Sequence, residues 1–117
     1  MAGAARRCRL TGAGAFEAVF RAGQRSEGEF VQLVSAPAAQ ACGRVGYVIG
    51  AKALPRAVDR NRVRRKLRVV LRERKPAISG LDVIVRVKRP VARGELERIV
   101  AEACRLLTLL ADRRPGS

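Results

Sequence analysis

The chain contains no histidine and no tryptophan, and only one tyrosine and three phenylalanines. Without histidine, Ser-His and Cys-His nucleophile pairs and imidazole acid–base chemistry are excluded. The three cysteines, Cys8, Cys42 and Cys104, lie far apart, and no C-x-x-C pair occurs. With no imidazole to complete a site, they read as small semi-buried thiols in a reducing compartment rather than zinc ligands. Acids are also scarce: ten Asp and Glu stand against 25 Lys and Arg. They form no tight cluster of the kind that holds catalytic magnesium. No catalytic residue and no metal ligand is assigned to the chain. No apolar run approaches the roughly 18 residues of a membrane span. No signal-peptide core follows Arg6-Arg7, so a cytoplasmic protein away from the membrane is expected.

What the chain has is positive charge. A net charge of +15 and a pI near 11.6 call for a polyanionic partner, nucleic acid or an anionic membrane surface. The 117 residues read as a single domain, 1–117, and an apolar content of 48% supplies a small core.

The charge is concentrated. Between Arg56 and Lys75 stand ten Lys or Arg and two acids, Asp59 and Glu73, a net +8 of the +15. The segment reads as a helix. Asp59 or a residue just before it starts it, Pro55 lies upstream, and Lys75-Pro76 closes it. At roughly 100° per residue, Val63, Leu67, Val70 and Leu71 share one arc that faces a core. Asn61, Arg64, Arg65, Arg68 and Arg72 share a neighbouring arc. A mixed-sign run is an ordinary solvated face. A run of nearly one sign repels itself unless polyanion is near, which favours nucleic-acid binding.

Around this helix the order is helix, strand, strand, basic helix, strand, helix. Residues 1–9 form a basic arm. Leu10 to Gly23 is a helix with Thr11 as N-cap, Phe16, Val19 and Phe20 at helical spacing, and Gly23 in the left-handed position that ends it. Glu29 to Ala36 is a strand with Phe30, Gln32 and Val34 on one face and Val31, Leu33 and Ser35 on the other. Arg44 to Gly50 is a second strand, expected to pair with the first as an antiparallel hairpin. Leu81 to Val87 is nearly continuous in apolar residues, as a central strand is. Arg93 to Ala111 is the last helix. Its stripe of Leu96, Ile99, Val100, Ala103, Leu106, Leu107 and Leu110 covers a sheet face, with Glu95, Glu97, Arg98, Glu102 and Arg105 largely outside. Residues 112–117 form a short tail. The expected fold class is α+β, a small α/β sandwich with a mixed sheet, three helices and a basic crossover helix. The default hand for that crossover is right-handed.

Arg60-Asn61-Arg62, followed by Val63, Arg64-Arg65 and Leu67-Arg68 and preceded by Ala57-Val58, resembles the protein component of bacterial ribonuclease P. Further pieces in the same order support the resemblance. They are Phe16-x-x-x-Phe20-Arg21-x-Gly23, Arg44-Val45-Gly46, Lys52 before the basic helix, and Asp82-Val83-Ile84-Val85. The match spans about residues 10 to 110.

The resemblance implies a subunit of a ribonucleoprotein that removes the 5′ leader from precursor tRNA by endonucleolytic hydrolysis. The expected partners are the catalytic RNA, in a 1:1 complex, and the leader. Chemistry and Mg2+ belong to the RNA, and the protein holds no cofactor of its own. The resemblance assigns RNA binding to Lys52, Arg56, Arg60, Asn61, Arg62, Arg64, Arg65, Lys66 and Arg68. It assigns a leader-binding cleft to Phe16, Phe20, Val31 and Leu33. It also implies a left-handed crossover, against the default, and four strands where three are read, with Gln24 to Ser26 available for the fourth. The chain departs from the family in carrying Ala51-Lys52 where many members have two lysines. It also has Leu33 where some carry an aromatic residue. The competing readings are a structural RNA-binding protein of ribosomal type, a DNA binder with its arginine-rich helix in the major groove, and a metal-dependent nuclease acting alone.

Overall fold

The computed structural model describes residues 12–38, 43–74 and 80–113. The basic arm, the Thr11 cap, Cys8, Cys42 and most of the two loops expected after Pro37 and Pro76 lie outside them.

Among the described residues eight elements follow in order: α1 (Ala13–Ala22), β1 (Gln24–Glu27), β2 (Val31–Pro37), β3 (Val45–Ile49), α2 (Ala57–Glu73), β4 (Leu81–Val87), a 3-10 turn (Arg93–Glu95) and α3 (Leu96–Arg113). The fourth strand is β1, at the segment left open by the sequence. It escapes sequence reading because Gln24, Arg25, Ser26 and Glu27 carry no hydrophobic alternation. Its pairing with β2 supplies the order that its side chains do not.

The sheet order is β1-β2-β4-β3. The expected hairpin between Glu29–Ala36 and Arg44–Gly50 does not form. β4 lies between them, antiparallel to β2 and parallel to β3. The reason lies in β4 itself. Val83, Ile84 and Val85 are fully buried, so this strand needs a neighbour on each side and cover on both faces. Parallel neighbours require a crossover of a dozen or more residues, and the 17 residues of α2 provide it.

Among the described residues, two helices cover one sheet face and one covers the other. Val63, Leu67, Val70 and Leu71 of α2 meet Ile99, Ala103, Leu106, Leu107 and Leu110 of α3 over Val31, Leu33, Val83, Val85 and Val87. On the opposite face Val19 of α1 packs on Val34, Ala36 and Ile84, with Phe16, Phe20 and Val48 half-buried around them. Each fully buried Leu or Val contributes about 1.5–3 kcal/mol, so the larger layer carries most of the stability.

Three local expectations are corrected. Gly23 is extended (φ −81°, ψ 156°), because the chain passes from α1 straight into β1. Glycine is needed there for space: a Cβ would sit 2.5 Å from the Val19 carbonyl oxygen and 2.9 Å from that of Ser35. Glu102 is not an outward residue of α3. Its carboxylate accepts the backbone N–H groups of Glu29, Phe30 and Val31 at 2.8, 2.7 and 2.6 Å. One acid of α3 thereby fixes the turn between β1 and β2. Finally, α3 runs on through Arg113, so the tail begins later than residue 112.

Candidate RNA interface

The basic helix starts without a side-chain cap. Arg56 occupies the N-cap position, and the acid of the first turn, Asp59, is buried and paired with Arg93. Asp59 is 1% exposed and accepts Arg93 Nε at 3.0 Å and NH2 at 3.4 Å. On the other side, one guanidinium nitrogen of Arg60 donates to the carbonyls of Leu54 (2.7 Å) and Pro55 (3.0 Å). The first turn of α2 is thus tied both to the turn before α3 and to the segment that follows β3. This fixes the direction in which the rest of the helix points.

Beyond that turn the helix divides cleanly. Val63, Leu67, Val70 and Leu71 face the core. Asn61, Arg62, Arg65, Arg68 and Arg72 are exposed. Among the described residues, the side chains of Arg62, Arg65, Arg68 and Arg72 have neither a hydrogen bond nor an ion pair within the protein. The Lys52 and Arg56 side chains stand exposed before the helix, likewise without a partner among the described residues. The remaining basic residues have internal partners. Arg64 donates to Asn61 Oδ1 at 3.2 Å, and Lys66 pairs with Glu97 of α3. Arg72, which helical spacing groups with Asn61, Arg64, Arg65 and Arg68 but which the resemblance did not assign to RNA binding, lies on the same exposed crest.

Tyr47 of β3 lies under this helix near Arg68 and Arg72. Burial pushes its phenol up to about 12, and the two guanidiniums pull the other way.

A second surface lies on the opposite sheet face, beside α1. Register places Arg25, Val34, Ile84 and Gly46 in one row across the sheet, and Glu27, Gln32, Arg86 and Val48 in the next. Of the four residues assigned to the cleft, Phe16 and Phe20 are on this side, half-buried. Val31 and Leu33 are not. They are 0% and 1% exposed and lie beneath α2 and α3 on the other face. In a strand, successive side chains alternate between faces, and the helix that carries the phenylalanines covers the other set.

The β2 residues facing α1 are Gln32, Val34 and Ala36. Beside Phe16 and Phe20 this face carries Val48, Gln32 and Arg86. A hydrogen-bonded chain runs along its far end. Lys88 Nζ donates to Glu27 Oε1 (2.6 Å), Gln32 Nε2 donates to Glu27 Oε2 (2.6 Å), and Arg86 NH1 donates to Gln32 Oε1 (3.2 Å). The Lys88 and Gln32 hydrogen bonds hold the Glu27 carboxyl below its usual range. Arg25 lies over the Phe20 ring at 5.9 Å and donates to the Phe20 carbonyl at 3.0 Å. Sequence reasoning missed Arg25, Gln32, Val48, Arg86 and Lys88. The alternation that puts Gln32 with Val34 was readable, but which face α1 covers was not.

Such an arrangement can neutralise and position phosphates along α2. It can also hold an extended strand by apolar contact and charge beside α1. A family model described as ribonuclease P matches residues 4–111. The chain belongs to the bacterial ribonuclease P protein family. Ribonuclease P protein components of similar sequence include that of Chromobacterium violaceum, 32% identical over 102 residues (87% of this chain, 84% of the relative). That of a Synechococcus strain is 34% identical over 116 residues (89% and 87%). Among solved structures, the Staphylococcus aureus ribonuclease P protein superposes with a TM-score of 0.75 at 20% identity, covering 87% of this chain and 94% of that one. The Thermotoga maritima ribonuclease P protein gives 0.71 at 25% identity, covering 92% and 98%. The chain is therefore the protein component of a ribonuclease P, a ribonucleoprotein endoribonuclease in which it partners the ribonuclease P RNA. Among the described residues no helix is long and apolar enough to cross a membrane.

Proposed function

We propose that α2 is the surface that engages the ribonuclease P RNA and that the groove beside α1 takes the single-stranded 5′ leader of precursor tRNA. The observation that carries the first half is the row of exposed arginines on α2, Arg62, Arg65, Arg68 and Arg72, unpaired among the described residues on a helix whose first turn is clamped on two sides. Lys52 and Arg56 extend the row. Asn61, hydrogen-bonded to Arg64, sets register, while Arg60 and Lys66 divide their charge between RNA and the protein. Half-buried phenylalanines beside exposed cations support the second half, since apolar contact and phosphate charge together bind single strands with little sequence preference.

The protein's part is recognition. A mature product lacks the leader, so leader contacts favour precursor over product. The hydrolytic chemistry and Mg2+ lie with the RNA, in a complex of one protein and one RNA in the cytoplasm. The test of the surface assignment is affinity for ribonuclease P RNA across a salt series. If α2 engages about six phosphates, the log–log slope is about −4 to −5, and Arg62→Ala with Arg65→Ala makes it shallower by about one for each contact removed. An unaltered slope in the double variant would reject α2 as the interface.

A further inference from the structure

Among the described residues, three large hydrophobic side chains are exposed: Val58, Val69 and Leu109. Two of the three stand on α2, the most highly charged helix, at 64% and 45% exposure. They are eleven residues apart, which in a helix is about three turns and about 16 Å along the axis with nearly the same azimuth. The guanidiniums of Arg62 and Arg65, unpaired among the described residues, lie between them on the same outward crest, and Arg72 follows Val69 by one turn.

Among the described residues, neither valine packs into the interior. Neither belongs to the core layers on the two sheet faces. A β-branched residue at an exposed helical position loses side-chain freedom that lysine, arginine or glutamate keeps. A charged residue there would also improve solubility. Two exposed valines framing two free arginines are therefore features of a contact surface.

The occupant is set by charge. A second copy of the chain would bring Arg62 and Arg65 against their own counterparts. An anionic strand meets the arginines with phosphates and presents sugar carbons and base edges between them. RNA helices offer such a surface in their wide, shallow minor groove.

Resting on the assignment of α2 to the RNA, we propose that Val58 and Val69 are apolar anchors at the two ends of the arginine crest. They pack on ribose and base surfaces of the ribonuclease P RNA and exclude water from the Arg62 and Arg65 contacts between them. Apolar contacts that ring a charged centre act in this way at other interfaces, where dryness strengthens the polar contacts inside.

The test separates apolar contact from charge. Val58→Thr and Val69→Thr keep shape and β-branching and replace a methyl with a hydroxyl. Each is expected to weaken binding of ribonuclease P RNA by about fourfold, and the pair by about tenfold or more, at every salt concentration and without changing the log–log salt slope. Leucine at either position is expected to retain affinity. Arg62→Ala and Arg65→Ala, measured alongside, make the slope shallower by about one each. Circular dichroism and melting temperature establish that all variants are folded. Threonine variants that bind like the parent, while the arginine variants shift the slope, would overturn the anchor role and leave α2 as the interface. Threonine variants that change the slope would show that the valines act on charge placement and would also overturn it. Arginine variants with the parental slope would overturn the assignment of α2 itself.

Discussion

Arg93 Nε lies 3.0 Å from Asp59 Oδ2, joining the turn before α3 to the first turn of the basic helix. Asp59 is almost wholly buried, whereas the Arg93 side chain is more than half exposed. The two partners are therefore not equivalent. Arg93→Ala leaves a buried carboxylate without its countercharge, and a loss of about 2–4 kcal/mol is expected. Asp59→Asn keeps one acceptor for the guanidinium and removes a charge that no longer needs compensating, so its loss is about 1 kcal/mol. Urea unfolding of the two variants checks the order. Equal losses would mean that the pair behaves as an ordinary surface bridge.

Tyr47 provides a spectroscopic check of the layer beneath α2. It is the only tyrosine in the chain, so absorbance of the phenolate reports one group. Burial favours the neutral phenol and raises its folded value from 10.0 to about 12. The stabilisation this represents is present in full below pH 10 and is lost as pH rises through about 12. The titration midpoint is expected near 12 in the native protein and near 10 in urea. A native midpoint near 10 would place Tyr47 in solvent and contradict the packing of α2 over β3.

Residues on the two faces of β2 are expected to fail in different ways. Leu33→Ala empties space under α2 and α3 and is expected to cost about 2–5 kcal/mol of stability. It should leave the preference of the reconstituted enzyme for precursor over mature tRNA unchanged at temperatures where the variant is folded. Phe16→Ala, on the α1 side, should narrow that preference with a smaller loss of stability, because Phe16 is only half-buried. If Leu33→Ala narrowed the preference and Phe16→Ala did not, the groove would have been assigned to the wrong face.

Lys66 and Arg65 are neighbours with opposite circumstances. Arg65 is unpaired among the described residues, whereas Lys66 already pairs with Glu97. Arg65→Ala is expected to make the salt dependence of RNA binding shallower by about one, and Lys66→Ala by less. An equal or larger change in the lysine variant would show that Glu97 gives it up when RNA binds.

Much of this arrangement was legible in the sequence because the physics was local. The apolar stripes of α2 and α3 follow from helical spacing, and the burial of β4 from its run of Val83, Ile84 and Val85. The family resemblance, carried by Arg60-Asn61-Arg62 and its neighbours, supplied function where composition alone gave only a polyanionic partner. What was not legible depended on contacts distant in the chain. The insertion of β4 between β2 and β3 is decided by which strands need two neighbours. β1 exists because β2 offers it a ladder, not because Gln24 to Glu27 favour a strand. The resemblance grouped Val31 and Leu33 with the phenylalanines, but the strand turns them to the opposite sheet face. Val31 and Leu33 belong to the deeper layer, and only the placement of α1 reveals that Gln32 and Val34 face the phenylalanines. Similarly, spacing on α2 shows where Arg60 and Lys66 point but not that Leu54, Pro55 and Glu97 are waiting there.

The central claim is that this chain strengthens recognition in an enzyme whose chemistry lies in RNA. The most direct measurement is cleavage of 5′-labelled precursor tRNA at physiological magnesium and low monovalent salt, comparing the protein alone, a bacterial ribonuclease P RNA alone, and both together. The account predicts no cleavage by the protein alone and a clear stimulation, with the leader released intact, when both are present. Cleavage by the protein alone, or tight RNA binding with no stimulation, would contradict it.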